Sequence, residues 1–280
     1  MSDVKIEVHD GVATLTMQPP GEHNTVGGTL LKDLLEAAGE LERDDAVRAV
    51  VTAADGPVWC ASAHFDDLER FLGSSADEML HSKEFAGDKG LPPLSEEGRR
   101  FDRLGMGHWV LGWLRLQKPT IAALTGSVAG GGLALAVMHD FRIASERARF
   151  QTAFLAVGVG PEMGLSFFLP RVVGLSVAAD MLLFDRKLEA PEALARHLVH
   201  EVVPPDQVLD RAQELAGHLA AKAPLGVRAH VRALRATVEN SLRAQLELEW
   251  DNQRITLASE DARAAVAALK SGVPPKFLGR

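Results

Sequence analysis

Three consecutive glycines, Gly130, Gly131 and Gly132, stand between an apolar segment that predicts a buried strand and another that predicts a helix. Glycine at a strand-to-helix turn lets the backbone approach a ligand closely, and the free N–H groups of the first helical turn favour an anion. Further along the chain a lone acid, Glu162, stands among Phe154, Met163, Phe167 and Phe168. Anion-binding amides near one carboxylate with apolar neighbours predict proton chemistry on a carbonyl compound.

The composition limits the classes of protein to consider. The 280 residues are 46% hydrophobic, which is enough for one large domain or two, and no apolar run reaches membrane-spanning length. A single cysteine, Cys60, excludes an internal disulfide framework and a cysteine-based zinc cluster. The net charge of −8, with no basic stripe, argues against a nucleic-acid partner. The first residues lack a signal-peptide pattern, so we expect a cytoplasmic location without membrane association.

The alternation of strand-like and helix-like segments predicts an α/β protein. Residues 5–8 and 12–17 predict a hairpin around Asp10 and Gly11, because each run is rich in β-formers and a tight turn separates them. Apolar residues at helical spacing predict helices elsewhere along the chain. The further predicted strands are residues 48–52, 120–124, 141–144 and 198–203, and residues 58–63 are expected to continue toward a loop at His64. The predicted helices are residues 29–41, 66–72, 99–116, 133–139, 190–195, 205–221, 225–247 and 261–269.

Composition also divides the chain into regions. Residues 73–97 are rich in Gly, Ser, Pro and charge, which predicts an insertion or lid. Beyond Arg171 the pattern becomes helical almost throughout. We therefore expect a β/α core over residues 1–203, which carries the site, and a helical region over residues 204–280.

The chain resembles the enoyl-CoA hydratase/isomerase (crotonase) superfamily over nearly its whole length. The matching pieces are Gly11-Val12-Ala13, residues 45–51, residues 58–68, residues 118–174, and the ending that runs from Ser259-Glu260-Asp261 to Phe277-Leu278-Gly279-Arg280. The resemblance implies a ββα spiral core, a C-terminal helical region used for trimerisation, and a homotrimer or dimer of trimers. It also implies an acyl-CoA substrate, so coenzyme A enters as a thioester and no metal or other cofactor is expected.

In that family two backbone N–H groups hold the thioester oxygen, and Ala63 and Gly131 occupy the matching positions. A thioester enolate concentrates charge on this oxygen, which preorganised amides at a helix N-terminus stabilise. The first loop departs from the family pattern, because Ser62 stands where glycine is usual and His64 where aspartate is usual. Serine adopts a positive φ only at a cost, so the shape of this half of the hole is in question.

The acidic residues separate the reactions of this family. Hydratases in it use two glutamates, but the matching positions here are Ala134 and Phe154, which can neither position nor activate water. The segment from Phe150 to Phe154 resembles instead the branch of peroxisomal Δ3-Δ2-enoyl-CoA isomerases. In that branch the base is a glutamate eight residues after the final Phe, and Glu162 matches it. Apolar neighbours would raise the pKa of this carboxylate, whereas a place in the first turn of a helix would lower it.

The resemblance implies further contacts with the substrate. Ala61 and Phe65 are expected along the path of the nucleotide, and the other expected substrate-binding residues are His64, Gly130, Ala134 and Phe154. Lys276 and Phe277 are expected to reach the nucleotide in the same or a neighbouring subunit, although a frayed basic tail is an equal alternative. Two other functions stay open: a hydrolase, decarboxylase or C–C-cleaving enzyme that uses His64 or Asp67, and a non-catalytic acyl-CoA-binding subunit.

Several reactive side chains have a simpler structural interpretation. Cys60 has no evident base near it in the sequence and is expected to be a packed thiol. His139 ends an apolar segment and is expected to cap its carbonyl groups. His197 and His200 have no third ligand at a suitable spacing, so they are expected to be structural.

Overall fold

The computed structural model describes residues 3–18, 23–26, 29–63, 69, 75 and 104–280. His64 and Phe65 lie outside the described residues, and so does the predicted insertion at residues 73–97 apart from Ser75.

The chain begins with the predicted hairpin. Strands β1 (Val4–His9) and β2 (Val12–Met17) are antiparallel, and His9 pairs with Val12 beside the turn. Asp10 and Gly11 have φ angles of 49° and 79°. Two consecutive positive φ values are what a two-residue hairpin needs to match the twist of its strands.

Two sheets form the core. The larger sheet has the order β1-β2-β3-β5-β7-β10 and the smaller has the order β4-β6-β8-β9, so consecutive strands from β3 to β8 alternate between the sheets. Since β3, β5 and β7 are parallel, each turn of the chain adds one strand to each sheet, which is the predicted ββα spiral. The bounds are β3 Ala49–Ala54, β4 Val58–Cys60, β5 Thr120–Leu124, β6 Ser127–Ala129, β7 Phe141–Ser145, β8 Arg149–Gln151, β9 Leu188–Glu189 and β10 Glu201–Val203.

Central strands are apolar on both faces. Every residue of β5 is buried, as are the first five of β3, because helices or the second sheet cover each face of the larger sheet. Continuous apolar runs are typical of such doubly covered parallel strands. This burial explains why the sequence predicts the bounds of β5 to the residue.

Helices cover the sheets and form the C-terminal part of the chain. In the described residues they are α1 Leu30–Arg43, α2 Gly107–Trp113, α3 Gly131–Val137, α4 Leu165–Val173, α5 Leu175–Leu183, α6 Ala190–Ala195, α7 Val208–Ala220, α8 Pro224–Ala236, α9 Leu242–Ala258 and α10 Glu260–Ser271. Helix α7 packs its buried face on the larger sheet. The division of the chain at residues 203 and 204 stays a prediction.

One predicted helix, over residues 225–247, is wrong. The structure has two helices there, and Ser241 caps the second by accepting a hydrogen bond from the Ala244 amide at 3.2 Å. No helix in the described part of the chain is long and apolar enough to cross a bilayer.

Candidate active site

The glycine turn, residues 130–132, links β6 to the buried helix α3. Gly130 caps the helix with φ 53° and ψ −123°, a conformation that residues with a Cβ avoid. A Cβ at Gly130 would lie 2.2 Å from Ser62 Oγ, and one at Gly132 would lie 2.1 Å from the Cys60 carbonyl oxygen. The glycines therefore let the loop after β4 lie directly against the start of α3.

This contact joins the two predicted donors of the oxyanion hole. Gly131 is the first residue of α3, so its N–H has no acceptor within the helix. Ala63 lies three residues after the end of β4 in the adjoining loop and is half-buried, like Ala61 and Ser62. Ser62 is not among the described residues with a positive φ, so serine replaces the usual glycine without strain. The assignment of both amides as donors stays a prediction.

Asn24 positions this loop and was missed by the sequence analysis. Its carbonyl oxygen accepts a hydrogen bond from the Ala61 amide at 2.8 Å, and its side chain is 1% exposed. Two residues later, the Val26 amide donates to the Ser62 carbonyl at 3.4 Å. A polar residue before a helix forms no distinctive pattern, so the sequence gives no signal that Asn24 positions the loop after β4.

The two positions that carry acids in hydratases are apolar here. Ala134 is fully buried in α3, and its amide donates to the Gly130 carbonyl at 3.1 Å. Phe154, just beyond β8, is 5% exposed. Neither side chain can take up or release a proton, so the chain offers no carboxylate at these two places.

Glu162 lies in the glutamate loop, residues 155–164, between Phe154 and α4. Helix α4 begins only at Leu165, because Met163 and Gly164 have φ angles of 53° and 72° and end the turn in the left-handed region. The expectation that Glu162 lies in the first turn of a helix is therefore wrong. Its carbonyl accepts the Leu165 amide at 3.0 Å, and every residue from Leu155 to Glu162 is exposed in the single chain.

Met163 brings the glutamate loop to the glycine turn. Its side chain is 3% exposed, and its Sδ lies 3.3 Å from the point where a Cβ of Gly131 would stand. Val26 Cγ2 lies 2.7 Å from the same point. Three segments separated in sequence thus meet at the first residue of α3: the one before α1, the glycine turn and the residue next to Glu162.

The reactive side chains near this junction have structural roles, as predicted. Burial raises the pKa of the Cys60 thiol to about 12, so it stays protonated. Burial lowers the pKa of His139 to about 4, which keeps its ring neutral. His139 Nδ1 lies 2.9 Å from the Leu135 carbonyl oxygen and Nε2 lies 2.9 Å from Thr52 Oγ1. Nδ1 therefore donates to the helix carbonyl and Nε2 accepts from the hydroxyl.

His200 also contacts the backbone. His200 Nδ1 accepts a hydrogen bond from the Arg142 amide at 3.2 Å. In the described part of the chain, no three His, Cys, Asp or Glu side chains are arranged to hold a metal ion.

Lys276 and Phe277 lie far from the glycine turn within one chain. The Phe277 carbonyl accepts a hydrogen bond from Arg48 Nη2 at 3.1 Å, and Lys276 is exposed. Arg48 directly precedes the six-residue strand β3, roughly 20 Å long, whereas β4 and Ala61 follow its other end. Their contact with the nucleotide, in the same or a neighbouring subunit, stays a prediction. The roles of His64 and Phe65 also stay predictions.

The C-terminal tail itself is held in place. The carboxylate of Asp261, which is 2% exposed, accepts hydrogen bonds from the amides of Leu278 and Gly279 at 2.6 and 2.8 Å. The alternative of a frayed tail is wrong for these residues, because two short bonds to a buried carboxylate fix their backbone.

Comparison with known proteins gives consistent matches. The family model for enoyl-CoA hydratase/isomerase matches residues 107–280. The chain is 31% identical to 1,2-epoxyphenylacetyl-CoA isomerase of Escherichia coli (strain K12), with both proteins fully covered. It is 35% identical over 219 residues to 4-chlorobenzoyl coenzyme A dehalogenase-1 of Arthrobacter sp, a match covering 78% of this chain and 72% of that protein. A solved enoyl-CoA hydratase from Polaromonas sp. JS666 aligns with a TM-score of 0.85 at 25% identity, covering 98% of this chain and 99% of that one.

The match to the family model takes in more than half of the chain, including the glycine turn and the glutamate loop. A full-length relative above 30% identity and a solved structure with the same fold agree with it. This protein therefore belongs to the enoyl-CoA hydratase/isomerase family of acyl-CoA enzymes.

Proposed function

We propose that the protein is an enoyl-CoA isomerase that moves a double bond from C3 to C2 of an acyl-CoA, with Glu162 as the single base. The observation that supports this proposal is the packing of Met163 on Gly131, because Met163 is the residue next to Glu162 and Gly131 is the first residue of α3. A carboxylate and an oxyanion donor side by side are what proton transfer next to a thioester requires.

The reaction balances with one base. The Glu162 carboxylate removes a proton from C2 of a 3-enoyl-CoA, and the C–H electron pair forms a dienolate whose charge rests on the thioester oxygen. The amides of Ala63 and Gly131 stabilise that oxygen. Glu162 then returns the proton to C4, and the double bond settles between C2 and C3. The bound acyl group would cover the exposed Glu162, and loss of water around a carboxylate raises its pKa toward the value a general base needs.

Ala134 and Phe154 favour isomerisation over hydration. Water addition needs a group that activates water and one that protonates the adjacent carbon, and both positions that supply these groups in hydratases are apolar here. The relatives carry names of several reactions, including isomerase, dehalogenase and hydratase. Membership of the family alone therefore does not select a reaction. The absence of acids at positions 134 and 154, together with the presence of Glu162, supports an isomerase of the peroxisomal-type branch.

A second candidate keeps the same site but takes a ring-bearing acyl group. The names of two relatives above 30% identity refer to an epoxyphenylacetyl-CoA and a chlorobenzoyl coenzyme A. Phe154 would offer a flat apolar face to such a ring. Glu162 would then act as base or nucleophile on an aromatic acyl-CoA.

The remaining features of the proposal concern assembly and location. Helices α8 to α10 expose large apolar side chains, among them Leu234, Leu242, Trp250 and Leu269, which are 63 to 87% exposed in the single chain. Apolar surface of this extent is typical of an interface between subunits and supports a homotrimer or a dimer of trimers. We also propose a cytoplasmic enzyme that needs no metal or redox cofactor.

The test is to incubate the protein with a 3-enoyl-CoA in deuterated water and follow the product by mass spectrometry. We expect a shifted double bond, deuterium incorporation and no added water. Glu162→Gln should lower turnover by ~10²–10⁴-fold. Glu146→Gln, which changes an exposed glutamate on the β7–β8 turn, is the matched control and should leave turnover unchanged.

Other products would overturn the isomerase. A water adduct would indicate a hydratase, and free coenzyme A or loss of CO₂ would indicate the hydrolase or decarboxylase. Thioester binding without any turnover would indicate a binding subunit. Turnover only with benzoyl-CoA or phenylacetyl-CoA derivatives would favour the second candidate. Unchanged turnover in Glu162→Gln would remove Glu162 from the mechanism.

A further inference from the structure

We propose that Asp185 is a positioning residue that holds the glycine turn and the glutamate loop in one arrangement. The inference rests on the proposed function, because it concerns the geometry of the same oxyanion hole and base. Asp185 lies two residues after α5 and is half-buried against the end of β8. No feature of the sequence distinguishes it from the other surface acids.

The carboxylate of Asp185 contacts three consecutive residues at the end of β8. Oδ1 accepts a hydrogen bond from the Ala153 amide at 2.6 Å and lies 2.9 Å from the hydroxyl of the buried Thr152. Oδ2 accepts from Gln151 Nε2 at 3.1 Å. The hydroxyl of Thr152 also donates to the Met181 carbonyl at 2.7 Å, so the firm bonds of Asp185 are those from the Ala153 amide and the Gln151 side chain. A single carboxylate therefore fixes the strand end through a main-chain amide and a side-chain amide.

From this strand end, one connection leads to the oxyanion hole. The carbonyl of Gln151 accepts the Gly130 amide at 3.1 Å, and the Gly130 carbonyl accepts the Ala134 amide in the first turn of α3. Gly130 also determines where the next amide, that of Gly131, points. A shift of the end of β8 would thus be transmitted to the hole through one hydrogen bond.

The other connection leads to Glu162. Ala153 has a φ of 58°, a left-handed conformation that is unfavourable for a residue with a Cβ. The short bond from its amide to Asp185 stabilises this conformation, which turns the chain and sends Phe154 into the core. The exposed glutamate loop begins at that turn, so its starting position depends on Asp185.

A nearby acid provides a matched control. Asp180, in α5, pairs with Arg186 at 3.2 Å and is exposed. Arg186 also pairs with Glu192 at 2.6 Å, so this surface network is separate from the side chains of residues 151–153. Asp180→Ala removes a carboxylate five residues before Asp185 and keeps the bonds from Asp185 to Gln151 and Ala153.

The experiment measures the carbonyl stretch of a saturated acyl-CoA labelled with ¹³C at the thioester, bound to the full-length protein. Donors in the hole should lower this frequency in the wild-type protein, and a saturated ligand makes the readout independent of Glu162. Asp185→Ala should lose at least about half of the shift and lower kcat by ~10²-fold, since a small misplacement is enough. KM should change by less than ~3-fold, because the nucleotide contacts are kept. Asp180→Ala should match the wild type.

Asp185→Asn keeps an acceptor for Ala153 and should fall between the wild type and the alanine variant, which tests the assignment even if Asp185→Ala does not fold. An unchanged carbonyl frequency and kcat in either folded variant would overturn the role of Asp185. A wild-type protein without any frequency shift would overturn the hole and this inference together. Normal turnover in Glu162→Gln, with the frequency effects intact, would overturn only the assignment of the base.

Discussion

The candidate site has a backbone half, which is the glycine turn with the loop after β4, and a carboxylate half, which is the glutamate loop. The two halves differ in the chemical groups that the chain uses to build them. The glycine turn and the loop after β4 use backbone groups, and they meet so closely that a single methyl group at Gly132 would overlap a carbonyl oxygen. The glutamate loop uses a side chain, and its residues are exposed from Leu155 to Glu162. The Ala153 amide bonds to Asp185 just before this loop, and Met163 packs on Gly131 near its end.

This difference shows where variation can occur without loss of the fold. A hole made from close backbone contacts tolerates few substitutions, because core packing transmits every displaced atom. A carboxylate on an exposed loop can be moved, lost or replaced at small cost to stability.

A pair of glycine substitutions gives the largest expected contrast between the halves. Gly132→Ala places a Cβ 2.1 Å from the Cys60 carbonyl oxygen, so the turn must shift. We expect a loss of ~3 kcal/mol or more in the free energy of unfolding, and no measurable turnover. Gly160→Ala, in the glutamate loop, meets nothing within 4 Å and should change stability by less than ~0.5 kcal/mol.

Urea unfolding and turnover of the two variants are the measurements. If the Gly132→Ala and Gly160→Ala proteins were equally stable and active, the loop after β4 would be able to move away from the added methyl group. The backbone half of the site would then be no more rigid than the glutamate loop. Gly160→Ala is the matched control, because it makes the same chemical change in the other half.

The far end of the helix that follows the glycine turn should be sensitive to acid. Burial lowers the pKa of His139 from 6.5 to about 4, so below pH 6.5 the unfolded chain binds a proton that the folded protein does not. Stability should therefore fall as the pH drops from 6.5 to 4, by ~2 kcal/mol at pH 5 from this residue. Unfolding curves at pH 7.5 and 5 measure the loss.

Two variants assign this acid effect. His139→Gln removes one titrating group and should reduce the slope of the free energy of unfolding against pH, whatever its stability at pH 7.5. Part of the slope should stay, because burial also lowers the pKa of His200 to about 4. His230→Gln changes a histidine on the exposed side of α8 and should keep the slope of the wild type. Equal slopes in all three proteins would exclude His139 as the source.

The sequence predicts the backbone half of the site better than the carboxylate half. The three glycines of the turn can be read directly from the sequence and predict a close backbone approach. The buried strand β5 has the predicted bounds because its five residues are all apolar or small. The position of Glu162 relative to α4 was wrong, because nothing in the sequence signals a positive φ at Met163. Local patterns report burial and turns, but not which backbone conformation the packing selects.

Long-range contacts were missed for a related reason. Asp185 lies 32 residues after Ala153, and Asn24 lies 37 residues before Ala61, so no periodicity connects either pair. The break between α8 and α9 had a local signal, since Asn240 and Ser241 are good helix-capping residues, but the helical spacing on both sides obscured it. Contacts that only the folded chain creates are the part that the sequence could not predict.

The smallest expected effect comes from Cys60, which lies next to the backbone half of the site but takes no part in the proposed reaction. Its Sγ lies 3.4 Å from the Ala61 carbonyl oxygen, and its pKa of about 12 keeps the thiol protonated. Cys60→Ala should lower the free energy of unfolding by about 1 kcal/mol through a small cavity, with turnover within ~2-fold of the wild type. Turnover and urea unfolding of this variant measure both effects. A ~10²-fold fall in turnover with stability unchanged would instead mean that the thiol takes part in the reaction. The backbone half of the site would then contribute a side chain in addition to its backbone amides.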